Sequence, residues 1–124
     1  MRTKVAVAVL SVLALMLFAP VAEAVVLRVV TVETDQSDAY AKEIHRAQAI
    51  RTRLGLTGIV RVWKARFAGP ETGAVVVSIE YADMATLAKE EAVQGTDAEF
   101  KAWLAGLDKL RKVVSDSVYA ELGK

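Results

Sequence analysis

Three charged side chains interrupt runs of residues that are otherwise apolar and β-branched. Arg28 lies within VVLRVVTVE, Glu80 within AVVVSIEYA and Asp116 within VVSDSVYA. A charge in a buried strand is costly unless it is paired, hydrated or bound to a ligand. These residues therefore predict one of two arrangements: ion pairs across strands, or polar groups that line an apolar cavity and bind a ligand or transfer a proton.

Basic and aromatic residues of the same runs would complete a small-molecule site around these charges. Cations stabilise developing negative charge, and a carboxylate or an imidazole nearby accepts a proton. The predicted ligand-binding residues are Arg28, Arg61, Lys64, Arg66 and Tyr81. The candidates for proton transfer are Asp116, Glu80 and His45. The alternative is a structural role, in which the charges form ion pairs across strands or at a subunit interface.

His45 is the single histidine of the chain, which has no cysteine. A metal site with several His or Cys ligands therefore cannot be built within one subunit, and we expect neither a metal nor a cofactor. His45 lies beside the apolar stripe of its predicted helix, so a surface position is the alternative to a role in proton transfer or as an axial ligand. The sequence has no glycine-rich phosphate loop and no nucleophile-elbow motif.

The first 24 residues differ in composition from the rest of the chain. Two basic residues precede an apolar stretch that ends at Pro20, and Ala22-Glu23-Ala24 follows. A charged start, a short apolar centre and small residues at positions −3 and −1 are typical of a secretory signal peptide. We predict cleavage after Ala24 and export, periplasmic or secreted. The alternative is an uncleaved membrane anchor, because residues 5–22 approach the roughly 18 to 20 residues that span a bilayer.

Residues 25–124 then form one domain of ordinary composition. Removal of the leader leaves equal numbers of basic and acidic side chains, which disfavours a nucleic-acid partner. Mixed charge on the predicted helices likewise argues against membrane binding after cleavage. Because the chain cannot form a disulfide, its stability must come from its core or from a partner subunit.

The apolar patterning predicts seven elements after the leader. They begin with a strand at 25–33 and a helix at 38–54, with Asp35 or Ser37 as N-cap and Gly55 as stop. Strands at 59–68 and 74–82 follow, joined as a hairpin. A helix at 84–93 capped by Asp83 comes next, Gly95-Thr96-Asp97 stops it and caps a helix from Ala98, and a strand at 113–120 is last. This order indicates an α+β fold, the ferredoxin-like split β-α-β with a four-stranded antiparallel sheet and helices on one face.

The hairpin determines which residues face the helices. If Ala68 pairs with Ala74, Trp63 and Phe67 lie on the same face as Val75. Trp63 and Phe67 are then core residues, and so are Phe100 and Trp103 of the last helix, in preference to an aromatic box around Arg61. In the same arrangement Lys64 and Arg66 share the other, mixed face with Glu80.

The first and third strands carry apolar residues on both faces. Leu27 and Val29 alternate with Val26, Val30 and Val32 in the first strand. A sheet with one face in water does not need this pattern. We therefore predict a homodimer in which the two sheets pack together.

With this element order the chain resembles the dimeric α+β barrel superfamily, which includes antibiotic-biosynthesis monooxygenase-like and NIPSNAP-like domains. The resemblance spans about residues 25 to 122 and rests on the stretches RLGLTGIVRVWKARFAGPETG and VVSDSVYAEL. The superfamily includes cofactor-independent oxygenases, haem-degrading enzymes, isomerases and small-molecule-binding proteins, so the resemblance implies a fold more than a reaction. Haem-degrading members use Asn, Trp and His, whereas this chain has no Asn.

Three functions remain open at this point. The first is an exported homodimer that binds a small, partly apolar molecule between helices and sheet. The second is a cofactor-independent monooxygenase or isomerase, with Asp116, Glu80 or His45 as the proton-transfer group and Arg61 or Arg28 beside developing negative charge. The third is a structural or interaction protein with a filled barrel. A cavity of several hundred Å3 with convergent polar groups would favour the first two.

Overall fold

The structure is a computed structural model that describes residues 24–123. Its elements are β1 (Val26–Glu33), α1 (Ser37–Arg46), α2 (Gln48–Arg53), β2 (Ile59–Lys64), β3 (Val75–Tyr81), α3 (Met84–Thr96), α4 (Ala98–Leu107) and β4 (Lys112–Ala120). The strands form one antiparallel sheet in the order β2-β3-β1-β4. This is the predicted ferredoxin-like α+β fold. The predicted leader, apart from Ala24, lies outside the described residues, and within residues 24–123 no helix is long and apolar enough to span a membrane.

The predicted helix at 38–54 is interrupted at Ala47, between α1 and α2. The Ala47 N–H still donates to the Glu43 carbonyl at 3.1 Å, and the Ala47 carbonyl accepts from the Arg51 N–H at 3.0 Å. The predicted N-caps are wrong, because the helix begins after Gln36 and has no side-chain cap. The Thr34 hydroxyl instead accepts from the Gln36 N–H at 3.0 Å.

Gly55 ends this helical segment as predicted. Its φ of +69° is the left-handed conformation that glycine adopts without strain. The Gly55 N–H donates to the Thr52 carbonyl and the Leu56 N–H to the Arg51 carbonyl. These two bonds form a Schellman motif, which turns the chain towards β2.

The third helix is longer than the sequence indicated. The predicted end near residue 93 is three residues early: α3 continues to Thr96, within the predicted Gly95-Thr96-Asp97 stop, and Gly95 does not adopt a positive φ. Both aspartate caps are confirmed. Asp83 accepts from the Thr86 N–H at 2.7 Å, and Asp97 accepts from the Phe100 N–H at 2.8 Å.

The hairpin pairing differs from the prediction by three residues. The Ala65 N–H donates to the Ala74 carbonyl at 2.9 Å, so Ala65 lies opposite Ala74 where Ala68 was expected. An odd shift exchanges the two faces of a strand. Trp63 consequently pairs with Val76 on the face away from the helices, and Phe67 lies fully exposed in the connecting loop. The prediction that Trp63 and Phe67 are core residues is wrong.

The core lies between the helices and one face of the sheet. Its buried residues are Val30, Val32, Tyr40, Ile44, Val75, Val77 and Leu107, with Val60, Val62, Ile79, Trp103, Leu104 and Leu110 packed around them. Phe100 and Trp103 are in contact, with 5.3 Å between their ring centroids and the ring planes tilted by 52°. The Trp103 indole N–H donates to the Glu43 carbonyl at 3.2 Å, so α4 is fastened to α1.

The opposite face of the sheet is mixed, because Arg61 and Glu80 lie on it among many apolar residues. By register, Val29 lies opposite Ser78 on one side and Ser117 on the other. The same face carries Leu27, Ile59, Trp63, Val76 and Tyr119. Ile59, Trp63 and Tyr119 are each about half exposed, so this face is open within the described chain.

Candidate functional site

A cavity of about 300 Å3 lies between the sheet and the helices. Its walls are mostly apolar and come from β1, β2 and β3 and from all four helices. The apolar lining residues are Val30, Ile44, Ala47, Val60, Val77, Ile79, Phe100, Trp103, Leu104 and Leu107. An apolar cleft of this kind with a few polar groups is the usual form of a small-molecule site.

The first polar group of the cavity is the ion triad of Arg28, Glu91 and Asp116. Arg28 donates from Nη1 to Glu91 Oε1 at 2.8 Å and from Nη2 to Asp116 Oδ2 at 2.6 Å, so it joins β1 to α3 and β4. The bidentate hydrogen bond from Arg28 holds the pKa of Asp116 below its ordinary value and raises that of Arg28. Asp116 therefore stays ionised and is a poor proton acceptor at neutral pH.

The second polar group centres on Arg51, which is buried with only 4% of its surface exposed. Arg51 Nη2 donates to the Gly58 carbonyl at 3.0 Å and lies 3.9 Å from Glu90 Oε1. Burial raises the pKa of Glu90, but hydrogen bonds from the Thr57 hydroxyl and from the Thr57 and Gly58 N–H groups outweigh it and leave the pKa lowered. The helical segment and the start of β2 are thereby fastened to α3.

Two residues of the cavity lining each have a buried donor without a partner. Arg51 Nε and Gln94 Nε2 are buried, and neither has a hydrogen-bond partner among the described residues. Gln94 is 6% exposed and lines the cavity together with Arg51. Buried unpaired polar groups are rare in folded proteins, because each costs the free energy of its lost hydration.

The third polar group of the cavity centres on Arg111. Arg111 donates from Nη1 to the Tyr40 hydroxyl at 3.0 Å and from Nε to Asp108 Oδ1 at 3.1 Å. Burial raises the pKa of Tyr40, although the hydrogen bond from Arg111 opposes this shift. Tyr40 therefore remains a neutral phenol at physiological pH.

The structure brings together only part of the site predicted from the sequence. Arg28 lines the cavity and binds Asp116, whereas Glu80 lies on the other face of the sheet, with its Oε2 3.8 Å from Arg61 Nη1. Tyr81 is buried beside the start of β2, and burial raises its pKa.

The remaining predicted residues lie around a separate, shallow depression. Lys64, Arg66 and His45 line it together with Trp63. Lys64 is on the helix side of the sheet, where its Nζ donates to the Ser37 hydroxyl at 3.1 Å. The expectation that Lys64 and Arg66 share a sheet face with Glu80 is therefore wrong, for the same reason as the hairpin register.

Sequence reasoning missed Arg51, Glu91, Gln94 and Arg111 of the cavity lining. Arg51 did carry a signal, because it follows Ile44 and Ala47 at helical spacing of three and four residues on the apolar stripe. Gln94 lies on α3, whose buried residues are Leu87, Glu90 and Gln94, so one helix presents two polar residues to the interior. Only the packing of that helix shows which polar residues face inward.

The fold and the cavity define a ferredoxin-like α+β domain with a small-molecule-sized space between sheet and helices. A solved NIPSNAP family protein from Agrobacterium tumefaciens has the same fold, with a TM-score of 0.60 and 14% identity over 81% of this chain and 93% of its own. SnoaB, a cofactor-independent oxygenase from Streptomyces nogalater, matches with a TM-score of 0.57 and 14% identity over 82% of this chain and 96% of its own.

A third structure with this fold is a dimeric ferredoxin-like protein from an uncultured marine organism. Its TM-score is 0.54 and its identity 13%, over 82% of this chain and 91% of its own. No protein-family model and no curated protein sequence matches the chain. The resemblance to the dimeric α+β barrel superfamily is thus confirmed as a likeness of fold.

Proposed function

We propose that this protein is an exported homodimer that binds a small, partly apolar molecule in the cavity between helices and sheet. The cavity of about 300 Å3 carries the proposal, since a filled interior is what a purely structural domain would need. Its polar groups support binding: Arg28, Arg51 and Gln94 reach it from β1, α2 and α3, and Arg111 reaches it from the segment before β4. Convergence of this kind fixes the orientation of a ligand.

Export is inferred from the leader. Cleavage after Ala24 would leave a chain that starts immediately before β1, so the mature domain would contain every strand and helix described above. Mass spectrometry of the exported protein should give a chain that starts at Val25. A mature chain that still starts at Met1 would overturn cleavage and favour the membrane anchor.

The homodimer is inferred from the apolar residues on the sheet face away from the helices. Within residues 24–123, Val29 and Val76 on this face are only partly buried, and Trp63 leaves half of its surface open. A second copy of the sheet offers the same apolar surface, as a two-fold interface requires. The dimeric ferredoxin-like protein of similar fold is consistent with this arrangement.

Ligand binding can be tested with 2-isopropylnaphthalene, a neutral, apolar fluorescent probe. We expect saturable binding with a change in its fluorescence. Val60 lines the cavity, so V60F should fill part of the cavity and weaken binding of the probe at least tenfold. V118F is the matched control, because Val118 lies on β4 and is not part of the cavity lining. A probe that does not saturate, or that binds V60F as tightly as the original protein, would sink the proposal.

A cofactor-independent oxygenase or isomerase is the second candidate. The fold of SnoaB favours it, as do the unpaired donors, which could stabilise an enolate oxygen. Such a reaction starts with the loss of a proton beside a carbonyl group. Exchange of the α-protons of 2-tetralone in D2O, followed by NMR, detects that step.

The variants D116N, E80Q and H45Q test the three predicted proton-transfer groups, and E91Q tests the carboxylate that lines the cavity. Loss of exchange in one of them would identify the base. If exchange is no faster than in buffer, or if it survives all four changes, the proton-transfer candidate fails and the binding protein remains.

A further inference from the structure

We infer that the ligand of the cavity carries an anionic oxygen, of which a carboxylate is the simplest, and that Arg51 and Gln94 bind this oxygen. The inference rests on the proposed function and adds the chemical class of the ligand. It starts from the two side chains whose donors the described chain leaves unused.

Only part of the Arg51 guanidinium has a hydrogen-bond partner among the described residues. Its Nη2 is used by the Gly58 carbonyl and lies near Glu90, while Nε keeps a buried N–H group without an acceptor. Gln94 adds a second such donor through Nε2. Both side chains are more than nine-tenths buried and line the same cavity. One acceptor group with two oxygens or several lone pairs could satisfy both donors at once.

The charges of the cavity lining select the sign of the ligand. Three arginines belong to the described lining, and they are Arg28, Arg51 and Arg111. Glu91 is the acidic residue of that lining, and Arg28 already binds it at 2.8 Å. Arg28 and Arg111 are in addition paired with carboxylates outside the lining, so their charges are already balanced. Arg51 by contrast keeps a charged N–H group, at Nε, that no described residue accepts. A charged donor without an acceptor favours an anionic oxygen, and a cation that only donates hydrogen bonds cannot satisfy it.

The apolar walls of the cavity indicate the chemistry and size of the rest of the ligand. Ile79, Leu104 and the rings of Phe100 and Trp103 supply apolar and aromatic surface. A cavity of about 300 Å3 lies at the small end of ligand sites, so it fits a body of about two rings. The expected ligand is thus a small apolar or aromatic acid.

Three naphthalene probes of nearly equal shape test the charge. They are 2-naphthoate, which is anionic and only accepts hydrogen bonds, 2-naphthamidine, which is cationic and only donates them, and the neutral 2-isopropylnaphthalene. We expect 2-naphthoate to bind about tenfold to a hundredfold more tightly than 2-naphthamidine, the usual size of a charge-assisted hydrogen bond. If 2-naphthamidine binds as well as or better than 2-naphthoate, the inference fails.

The variant Q94L separates a ligand-binding role from a structural one. It removes the unpaired amide while keeping a side chain of similar size, so the protein should become no less stable in urea. Binding of 2-naphthoate should nevertheless weaken about tenfold, and binding of 2-isopropylnaphthalene should not weaken. Q48L is the matched control, because Gln48 is exposed on α2 and should change neither.

The outcomes distinguish the two levels of the proposal. If the neutral probe saturates the cavity while 2-naphthoate shows no advantage, or if Q94L binds 2-naphthoate normally, the anionic class is wrong and the binding protein stands. If none of the three probes saturates the protein, the proposed function itself fails.

Discussion

Arg28 and Asp116 form a bidentate pair across neighbouring strands, with Nε to Oδ1 at 3.0 Å and Nη2 to Oδ2 at 2.6 Å. Because β4 is an edge strand, this pair links the edge to the centre of the sheet. Glu91 on α3 takes the remaining Nη1 of the same guanidinium. One arginine therefore organises the sheet edge, a helix and one side of the cavity.

The pair predicts a stability change at low pH. The hydrogen bonds from Arg28 lower the pKa of Asp116 from its ordinary 3.8, so the folded state favours the carboxylate. The stabilisation is fully present above that ordinary pKa and is lost as the pH falls through the lower pKa of the folded protein. D116N should cost about 1 kcal/mol at pH 7, a modest value because the Asp116 side chain is 42% exposed.

Urea unfolding at pH 7 and at pH 3 measures this effect. The difference in unfolding free energy between the original protein and D116N should shrink at pH 3. D108N is the control, because Asp108 is also paired with an arginine but lies outside the Arg28 triad. A D116N deficit that stays constant or grows towards pH 3 would contradict the assignment.

Gly58, at the start of β2, leaves no room for a side chain. A Cβ at this position would lie 2.8 Å from Ile79 Cγ2, 2.8 Å from Tyr81 Cε1 and 2.9 Å from Arg51 Nη2. G58A should therefore destabilise the protein by about 1 to 3 kcal/mol through overpacking. G106A is the matched control, because a Cβ there meets nothing within 4 Å and alanine favours the helix. Equal unfolding midpoints for the two variants would refute this packing.

Glu90 is a buried carboxylate, and we expect the protein to lose stability when this carboxylate loses its charge. It accepts from the Thr57 N–H at 2.8 Å and the Gly58 N–H at 3.0 Å, and it faces Arg51. E90Q keeps the shape but leaves Arg51 without its opposite charge, so it should cost about 2 to 4 kcal/mol. Thermal unfolding measures the loss, and E99Q should cost much less, because Glu99 is an exposed residue of α4. A change of similar size in both variants would mean that Glu90 has no special role.

The order of elements and the ends of several helices could be predicted because local residues determine them. Asp83, Asp97 and Gly55 act on backbone groups within a few residues, and their roles are confirmed. The register of the hairpin could not be predicted, since it depends on a loop in which Gly69 and Gly73 both adopt positive φ. That loop removes Phe67 from the strand and turns Trp63 to the other face.

The polar lining of the cavity was harder to predict for a related reason. Charged residues inside strands stand out in a sequence, and Arg28 with Asp116 was recognised in this way. Arg51 and Gln94 lie on helices, where a polar residue is usually exposed. Their burial results from the way α2 and α3 pack on the sheet, which no local pattern determines.

The open sheet face predicts a dimer that a single charge should disrupt. Val29 lies on the central strand β1 and on the face away from the helices. V29K would place an unpaired ammonium group within the proposed sheet-to-sheet interface, at a cost of several kcal/mol if the interface exists. Sedimentation at micromolar concentration should show a dimer for the original protein and a monomer for V29K. A49K, at an exposed position of α2, should remain dimeric. A monomeric original protein, or a V29K variant that still sediments as a dimer, would show that the sheets do not pack together.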